Sequence, residues 1–456
     1  MQENKTVAAV ATPNSAGGIG IVRISGADAL KIADSVFRAA SGKSLCSSEG
    51  YRAHYGTITD SDESIDEGIA LVFRAPKSYT GEDVVELSCH GGLYVTKRTL
   101  RAVLRAGALP APAGEFTKRA FLNGRIDLAE AESVMALIGA QGEQAAAAAY
   151  NTLEGKLSSK ISEIAHSLIS VCAHMSAWVD YPDEEIEEIS EKQLKSVFAS
   201  AAQELSELLR SFENGRAVTQ GVDAVIAGRP NVGKSTLMNL LSGYERSIVT
   251  DIPGTTRDVV EESVKIGDIL LRLADTAGIR SAQNEVESIG VSLAKKRMRR
   301  AQLVIAVFDG SQALSDEDKK ILSDCADKLT LAVINKSDLE QNVDMEYIKQ
   351  HADDTVLICA KTGEGCKAFE NALSKLLGTA DFDPSSAVLT TERQRLCCEK
   401  ALENLNEALR AINSGVTLDA VNVCADCAVE ALLELTGEKA GEAVVNEVFS
   451  QFCVGK

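Results

Sequence analysis

The stretch Gly228-Arg229-Pro230-Asn231-Val232-Gly233-Lys234-Ser235 fits the spacing GxxxxGK[ST], between an apolar run (Ala224-Val225-Ile226-Ala227) and a helix-like segment over 236–241. No other stretch constrains the fold as strongly. A strand, a glycine-bearing loop and a helix start in succession form a cradle for phosphate: the glycines let backbone N–H groups turn inward, Lys234 can reach β and γ oxygens, and the Ser235 hydroxyl can ligate Mg²⁺. Asn231, Val232, Gly233 and Thr236 complete the nucleotide-binding positions of this loop.

Three further motifs follow in order, each after an apolar run: Asp275-Thr276-Ala277-Gly278 after 269–273, Asn335-Lys336-Ser337-Asp338 after 329–334, and Cys359-Ala360-Lys361 after 356–358. Their order and spacing are those of GTPases. Asp275 can hold the Mg²⁺ shell through water and the Gly278 N–H can meet a γ-phosphate. Asp338 can accept hydrogen bonds from N1–H and the exocyclic amine of guanine, a pattern adenine cannot supply. The residue after Gly278 is Ile279, where Ras-like proteins carry the glutamine that orients the attacking water. Glu287 is the candidate for that task and Glu285 its competitor; the plain alternative for both is an acidic helix start.

A chain of 456 residues with 45% hydrophobic residues suggests about three domains. A formal charge of −19 argues against a broadly basic nucleic-acid surface, so any RNA site has to be local. The 11 cysteines are scattered and odd in number, and there is neither a signal-like start nor a run of 18 apolar residues. A cytoplasmic protein outside the membrane is expected.

Residues 1–120 read as mixed α/β, with strands over 7–10, 19–22, 55–59, 67–73 and 84–89 and helices over 27–37 and 93–106. His90, beside Gly91 and Gly92, reads as a turn histidine rather than a catalytic one, since no nucleophile accompanies it. Helical spacing then covers 127–138, 144–179 and 190–212, and again 396–412, 418–435 and 441–452. The fold class is therefore multidomain: an α/β N-terminal domain (1–120), a helical domain in two parts (121–215 and 379–456), and an inserted α/β P-loop domain of Ras-like type (216–378). The acids Asp183, Glu184 and Glu185 read as a helix start, Cys424 and Cys427 as small hydrophobes on one helix face, and the basic run 295–300 as a helix end.

Further pieces carry a family resemblance over nearly the whole chain: Arg23-Ile24-Ser25-Gly26, Tyr79-Thr80-Gly81-Glu82-Asp83 with Glu86 and His90-Gly91-Gly92, the stretch from Gly114 to Arg125, Asp180 to Ile186, and the final Phe452-Cys453-Val454-Gly455-Lys456. The chain resembles the MnmE (TrmE) family of tRNA-modifying GTPases. The resemblance implies a 5-formyltetrahydrofolate-type one-carbon carrier held by Arg23, Glu86, Arg125 and Lys456, and an open role for Cys453, a candidate catalytic residue with Glu287. It implies a bound K⁺ in place of an arginine finger, with Asn231, Thr250, Ile252 (through its carbonyl) and Thr255 as ligands, and Mg²⁺ on Ser235 and Thr256. Asp251, Pro253 and Gly254 fall in the same GTP-binding switch. It also implies a homodimer formed through the N-terminal domain, an FAD-dependent partner (MnmG), and tRNA whose wobble uridine receives an aminomethyl or carboxymethylaminomethyl group at carbon 5. The helix over 441–452 is expected to carry the tail to the folate domain, most easily that of a second copy. Two departures stand out: Pro112-Ala113 precedes Gly114 where the family has arginine-proline, and the stretch Thr391-Glu392-Arg393-Gln394-Arg395-Leu396 lacks the family's usual histidine after arginine. The alternative class is an RNA-binding ribosome-assembly GTPase, which a folate-binding assay on 1–120 separates from the first.

Overall fold

A computed structural model describes residues 5–180, 190–244, 261–274 and 301–456. The chain divides into two compact units, residues 1–135 with 429–456, and residues 136–428.

In the first unit, alternating apolar residues build a seven-stranded sheet from β1 (Val7–Val10), β2 (Ile19–Ser25), β3 (Phe37–Ala39), β4 (Arg52–Asp60), β5 (Glu63–Phe73), β6 (Val84–His90) and β7 (Leu109–Pro110), in the order β3-β4-β5-β6-β2-β1-β7. All pairs are antiparallel except β1 with β7. Because side chains alternate across a strand, Val22, Ile24, Ala70, Val72, Val85 and Leu87 share one face, and each is fully buried in a core with the helices Ala29–Val36 and Leu93–Arg105. The opposite face carries a row running Ile21–Ser88–Ile69–Tyr55 across four strands, and next to it the facing pair Arg23 and Glu86. A second core in this unit joins Phe121 and Leu128 to Phe449 and Phe452 around the helix Glu442–Ser450.

The second unit holds a six-stranded sheet of β8 (Val222–Ala227), β9 (Glu261–Ile266), β10 (Ile269–Ala274), β11 (Leu303–Asp309), β12 (Leu329–Asn335) and β13 (Asp354–Ile358), ordered β13-β12-β11-β8-β10-β9. Only β9 runs antiparallel to its neighbour. β11 and β12 are almost wholly buried, which is why they read as continuous apolar runs. β8 lies between β11 and β10, so the order reverses there, and a doubly wound sheet binds ligands at that point beyond the strand C-termini.

The helices differ from their expected bounds for local reasons. The span 144–179 is two helices, Glu143–Leu153 and Lys156–Asp180, because Gly155 takes a left-handed φ of 84° between them. The helix expected to end at 212 is Glu191–Thr219, opened by a capping box in which Ser190 and Gln193 bond reciprocally. An equivalent box, Thr391 with Gln394, starts the helix Glu392–Asn413 a turn before the apolar stripe begins. Arg272 of β10 binds the Gln220 carbonyl and lies 3.2 Å from Asp223, fastening the β9–β10 hairpin to the end of Glu191–Thr219.

Candidate functional site

The phosphate loop joins β8 to the helix Lys234–Tyr244. Gly228 (φ 151°) and Gly233 (φ 103°) occupy backbone regions closed to most side chains, and Asn231 sits in the left-handed region at 66°. Both glycines are also required by close approach. A Cβ on Gly228 would lie 2.5 Å from the Val307 carbonyl oxygen, and one on Gly233 only 2.1 Å from Asn335 Nδ2. Lys234 Nζ donates to the carbonyls of Gly228 (2.6 Å) and Arg229 (2.7 Å), which folds its ammonium back over the loop. Val232 is buried, Ser235 half-buried and Thr236 exposed.

Asn335 is the strut of this site. Its Nδ2 donates to the Val232 carbonyl at 2.8 Å, and its Oδ1 accepts the Ala360 N–H at 3.0 Å. The side chain is buried, so both bonds are made out of competition with water. Beside it, Lys336 takes a left-handed φ of 66° and places Nζ 2.5 Å from Asp309 Oδ2. Burial alone would push the Asp309 carboxyl up, but hydrogen bonds from Lys336 and Ser311 outweigh it and hold the pKa below the ordinary value. Ser337 donates its N–H to the Ile358 carbonyl, while Cys359, itself buried, donates Sγ–H to Asp338 Oδ1 at 3.3 Å. The exposed Asp338 carboxylate is thus aimed by a weak thiol donor and keeps acceptor capacity for a base. Lys361 is exposed. The structure therefore brings together the loop at 231–236, the motif at 335–338 and the motif at 359–361. Residues 250–256, 275–278, Glu285, Glu287 and the basic run 295–300 lie outside the described residues, as do Asp183 to Glu185.

In the first unit, Arg23 and Glu86 face one another across β2 and β6 with Nε and Oε1 2.8 Å apart. The Arg23 guanidinium also lies 5.6 Å from the Tyr79 ring centroid and 5.4 Å from that of Phe116. Aromatic faces attract a guanidinium, so three side chains fix its plane. Burial raises the Tyr79 pKa above the ordinary phenol value, against the lowering effects of Thr117 and Arg23. Arg119, almost fully buried, ties the surroundings together through Glu82 (2.9 Å), Glu115 (2.9 Å) and the Lys5 carbonyl (2.9 Å). Tyr79, Phe116 and Arg119 belong to motifs visible in the sequence, but nothing in residue type marked them as supports of Arg23.

The tail reaches the same place within one chain. Val454 pairs with Ala113, the Cys453 carbonyl accepts the Gly114 N–H (3.4 Å), the Lys456 carbonyl accepts the Phe116 N–H (3.2 Å), and Arg23 Nη1 donates to Gly455 (3.4 Å). Gly455 (φ 96°) packs so closely that a Cβ would lie 2.2 Å from the Val10 carbonyl oxygen. This corrects the expectation that the tail goes most easily to a second copy: β1 and the loop at 112–116 of its own chain receive it. The unusual Pro112-Ala113 pair does not disturb that seat, because Ala113 bridges through its backbone. Cys453 is exposed and Lys456 half-buried. Arg125 is exposed and passes beside Gly81, where an added Cβ would lie 3.5 Å from Arg125 Cγ.

Other singled-out residues resolve plainly. His90 ends β6 with Nδ1 2.8 Å from Asp66 Oδ1 and its backbone N–H donating to Asp66 Oδ2, so hydrogen bonds to that carboxylate anchor it. Cys424 and Cys427 are half-buried on the helix Leu418–Thr436, and burial raises the Cys424 thiol pKa. Among the described residues no helix is long and apolar enough to cross a membrane.

Sheet order, phosphate loop and the Asn335 to Asp338 geometry define a P-loop GTPase of Ras-like type carrying a separate α/β unit. Residues 6–125 match the family model described as GTP-binding protein TrmE N-terminus, and residues 128–453 match that of the MnmE helical domain. A tRNA modification GTPase MnmE of Acetivibrio thermocellus is 40% identical, covering 100% of both chains; those of Clostridioides difficile (40%) and Symbiobacterium thermophilum (42%) each cover 99% of both. Over 34% of its length the chain is also similar to the solved G domain of the T. maritima FeoB iron transporter, at 25% identity, 98% of that chain and a TM-score of 0.26. The chain belongs to the MnmE family of tRNA modification GTPases.

Proposed function

We propose that this chain is a K⁺-activated GTPase that, with an FAD-dependent partner of the MnmG kind, adds an aminomethyl or carboxymethylaminomethyl group to carbon 5 of the wobble uridine of certain tRNAs in the cytoplasm. The observation that carries the reading is that one chain holds a GTPase site and, in another unit, an Arg23–Glu86 pair joined to the tail. In this reading the chain works as four segments, 1–120, 121–215, 216–378 and 379–456. Glu86 meets pterin N–H donors, while Arg23, Arg125 and Lys456 meet carboxylates of a tetrahydrofolate-type carrier. The carrier supplies the one-carbon group when bound; Tyr79 and Phe116 orient Arg23 for it. Cys453 is exposed beside this site, available for proton or group transfer.

At the nucleotide, the donor set fits hard cations: the Ser235 hydroxyl suits Mg²⁺ and the Asn231 amide oxygen suits K⁺. A monovalent charge against the β and γ phosphates offsets charge that develops in the transition state. Thr250, Ile252, Thr255 and Thr256 complete these shells in the proposal, and Glu287 orients water. The row Ile21, Ile69 and Tyr55 supports a homodimer through the N-terminal sheet, since Ile69 is 45% and Tyr55 59% exposed on the face away from the core.

Comparing tRNA nucleosides from cells with and without the protein tests the function; an unchanged wobble uridine would sink it. For the hydrolytic half, turnover in KCl is expected to exceed that in NaCl at matched ionic strength. Glu287→Ala is expected to keep GTP binding and lose about 10²-fold in single-turnover hydrolysis. Equal turnover in the two salts removes the cation, and near-normal hydrolysis in the variant moves the water-orienting role to Glu285 or elsewhere.

A further inference from the structure

The pattern GxxxxGK[ST] leaves its second position open, yet here the side chain at that position is anchored outside the loop. Arg229 Nε lies 3.2 Å from Asp318 Oδ2, a charge–charge contact without hydrogen-bond geometry, and its Nη2 donates to Gln312 Oε1 at 2.9 Å. Asp318 is 2% exposed. Its Oδ2 also accepts from the Ser315 N–H (3.0 Å) and Ser315 Oγ (2.8 Å), so the capping box that opens the helix Asp316–Asp324 fixes the carboxylate. Its Oδ1 is buried without a hydrogen-bond partner among the described residues. A charge in that position depends on the cation facing it, which is Arg229.

The other end of Arg229 touches the chemistry. Its carbonyl oxygen accepts from Lys234 Nζ at 2.7 Å, and the neighbouring Gly228 carbonyl does so at 2.6 Å. One residue thus spans from the Lys234 ammonium to a buried carboxylate on a helix outside every nucleotide motif. We propose that Arg229 and Asp318 are positioning residues for GTP hydrolysis, a tether that holds the Arg229 carbonyl and through it the Lys234 ammonium. The inference rests on the GTPase reading. Lys234 stabilises charge that grows on the transferring phosphoryl group, and such stabilisation depends on placement fixed before the reaction. A shift of about 1 Å in a supporting group can cost about 10²-fold. Ground-state nucleotide binding is spread over many loop N–H groups and the base contact, so it depends less on this one placement.

The test uses the full-length protein and reads kcat and KM for GTP, affinity for a fluorescent GDP analogue, and melting temperature. Arg229→Met keeps the apolar stem and removes the guanidinium. It is expected to lower kcat about tenfold, with KM and GDP affinity changing less than about threefold. Asp318→Asn keeps an oxygen for Ser315 and is expected to act in the same direction. The double variant is expected to be no slower than Arg229→Met, because both changes cut one connection. Arg229→Lys restores charge without the fork and is expected to fall between. A kcat for Arg229→Met within twofold of the unmodified chain overturns the tether, as do additive losses in the double variant. So does a loss that disappears once rates are corrected for the folded fraction. An unmodified chain that hydrolyses no GTP overturns the GTPase reading itself, which separates that failure from the failure of the tether.

Discussion

Gly233→Ala is expected to weaken guanine-nucleotide binding by about 10²-fold or more in a chain that otherwise folds. The added methyl would sit 2.1 Å from Asn335 Nδ2, at a φ of 103° that alanine rarely adopts. Relief requires Asn335 to move, and Asn335 carries the bonds to both the Val232 carbonyl and the Ala360 N–H. One methyl therefore displaces the phosphate loop and the loop behind the base together. Backbone strain and a broken buried network each cost about 1–3 kcal/mol, so a combined loss of about 10²-fold or more in affinity is expected. Titration with a fluorescent GDP analogue checks it, with thermal melting alongside. A variant that binds GDP within threefold of the unmodified chain would show that Asn335 yields without consequence.

Removing residues 453–456 is expected to abolish tRNA modification and weaken folate binding while GTP hydrolysis persists. The deletion strips Arg23 of its Gly455 acceptor, Phe116 of the Lys456 carbonyl and Gly114 of the Cys453 carbonyl. Arg23 then retains Glu86 and the two rings, so its plane is less fixed, and the Lys456 charge is gone. The nucleotide site belongs to the other compact unit, which is the ground for expecting hydrolysis to survive. Folate titration, GTP turnover and nucleoside analysis on one preparation decide the matter. A lowered melting temperature with hydrolysis and modification impaired together, and folate affinity intact in the folded fraction, would favour a tail that only braces the Phe449 and Phe452 core.

Much of this architecture was legible because its signals are local. The phosphate loop declares itself through fixed spacing, and β11 and β12 through unbroken apolar runs bounded by motif residues. The break at Gly155 was hidden because residues on both sides keep helical apolar spacing, and only the positive φ separates them. The start at Ser190 was legible, whereas the one at Thr391 is set by polar residues three apart, a turn before the apolar stripe begins. The supports of Arg23 were invisible for another reason. Tyr79, in the loop between β5 and β6, and Phe116, in the helix Glu115–Leu122, are remote from it in sequence, and only the tertiary packing of that loop and helix brings their rings beside its guanidinium. The Arg229–Asp318 pair spans a similar gap and follows no motif.

The fastening of Arg272 to the Gln220 carbonyl and Asp223 has a mechanical consequence. The β9–β10 hairpin is bolted to the end of a helix of 29 residues, a rod about 43 Å long at 1.5 Å per residue. Hydrogen-bonded helices of this kind bend only gently, so a rotation of about 5° imposed at the hairpin swings the far end by roughly 4 Å. β10 ends at Ala274, so the short arm of this lever is next in sequence to the Asp275-Thr276-Ala277-Gly278 motif. A rearrangement that tilted the hairpin by that angle would displace the far end of the helix by about the size of a side chain.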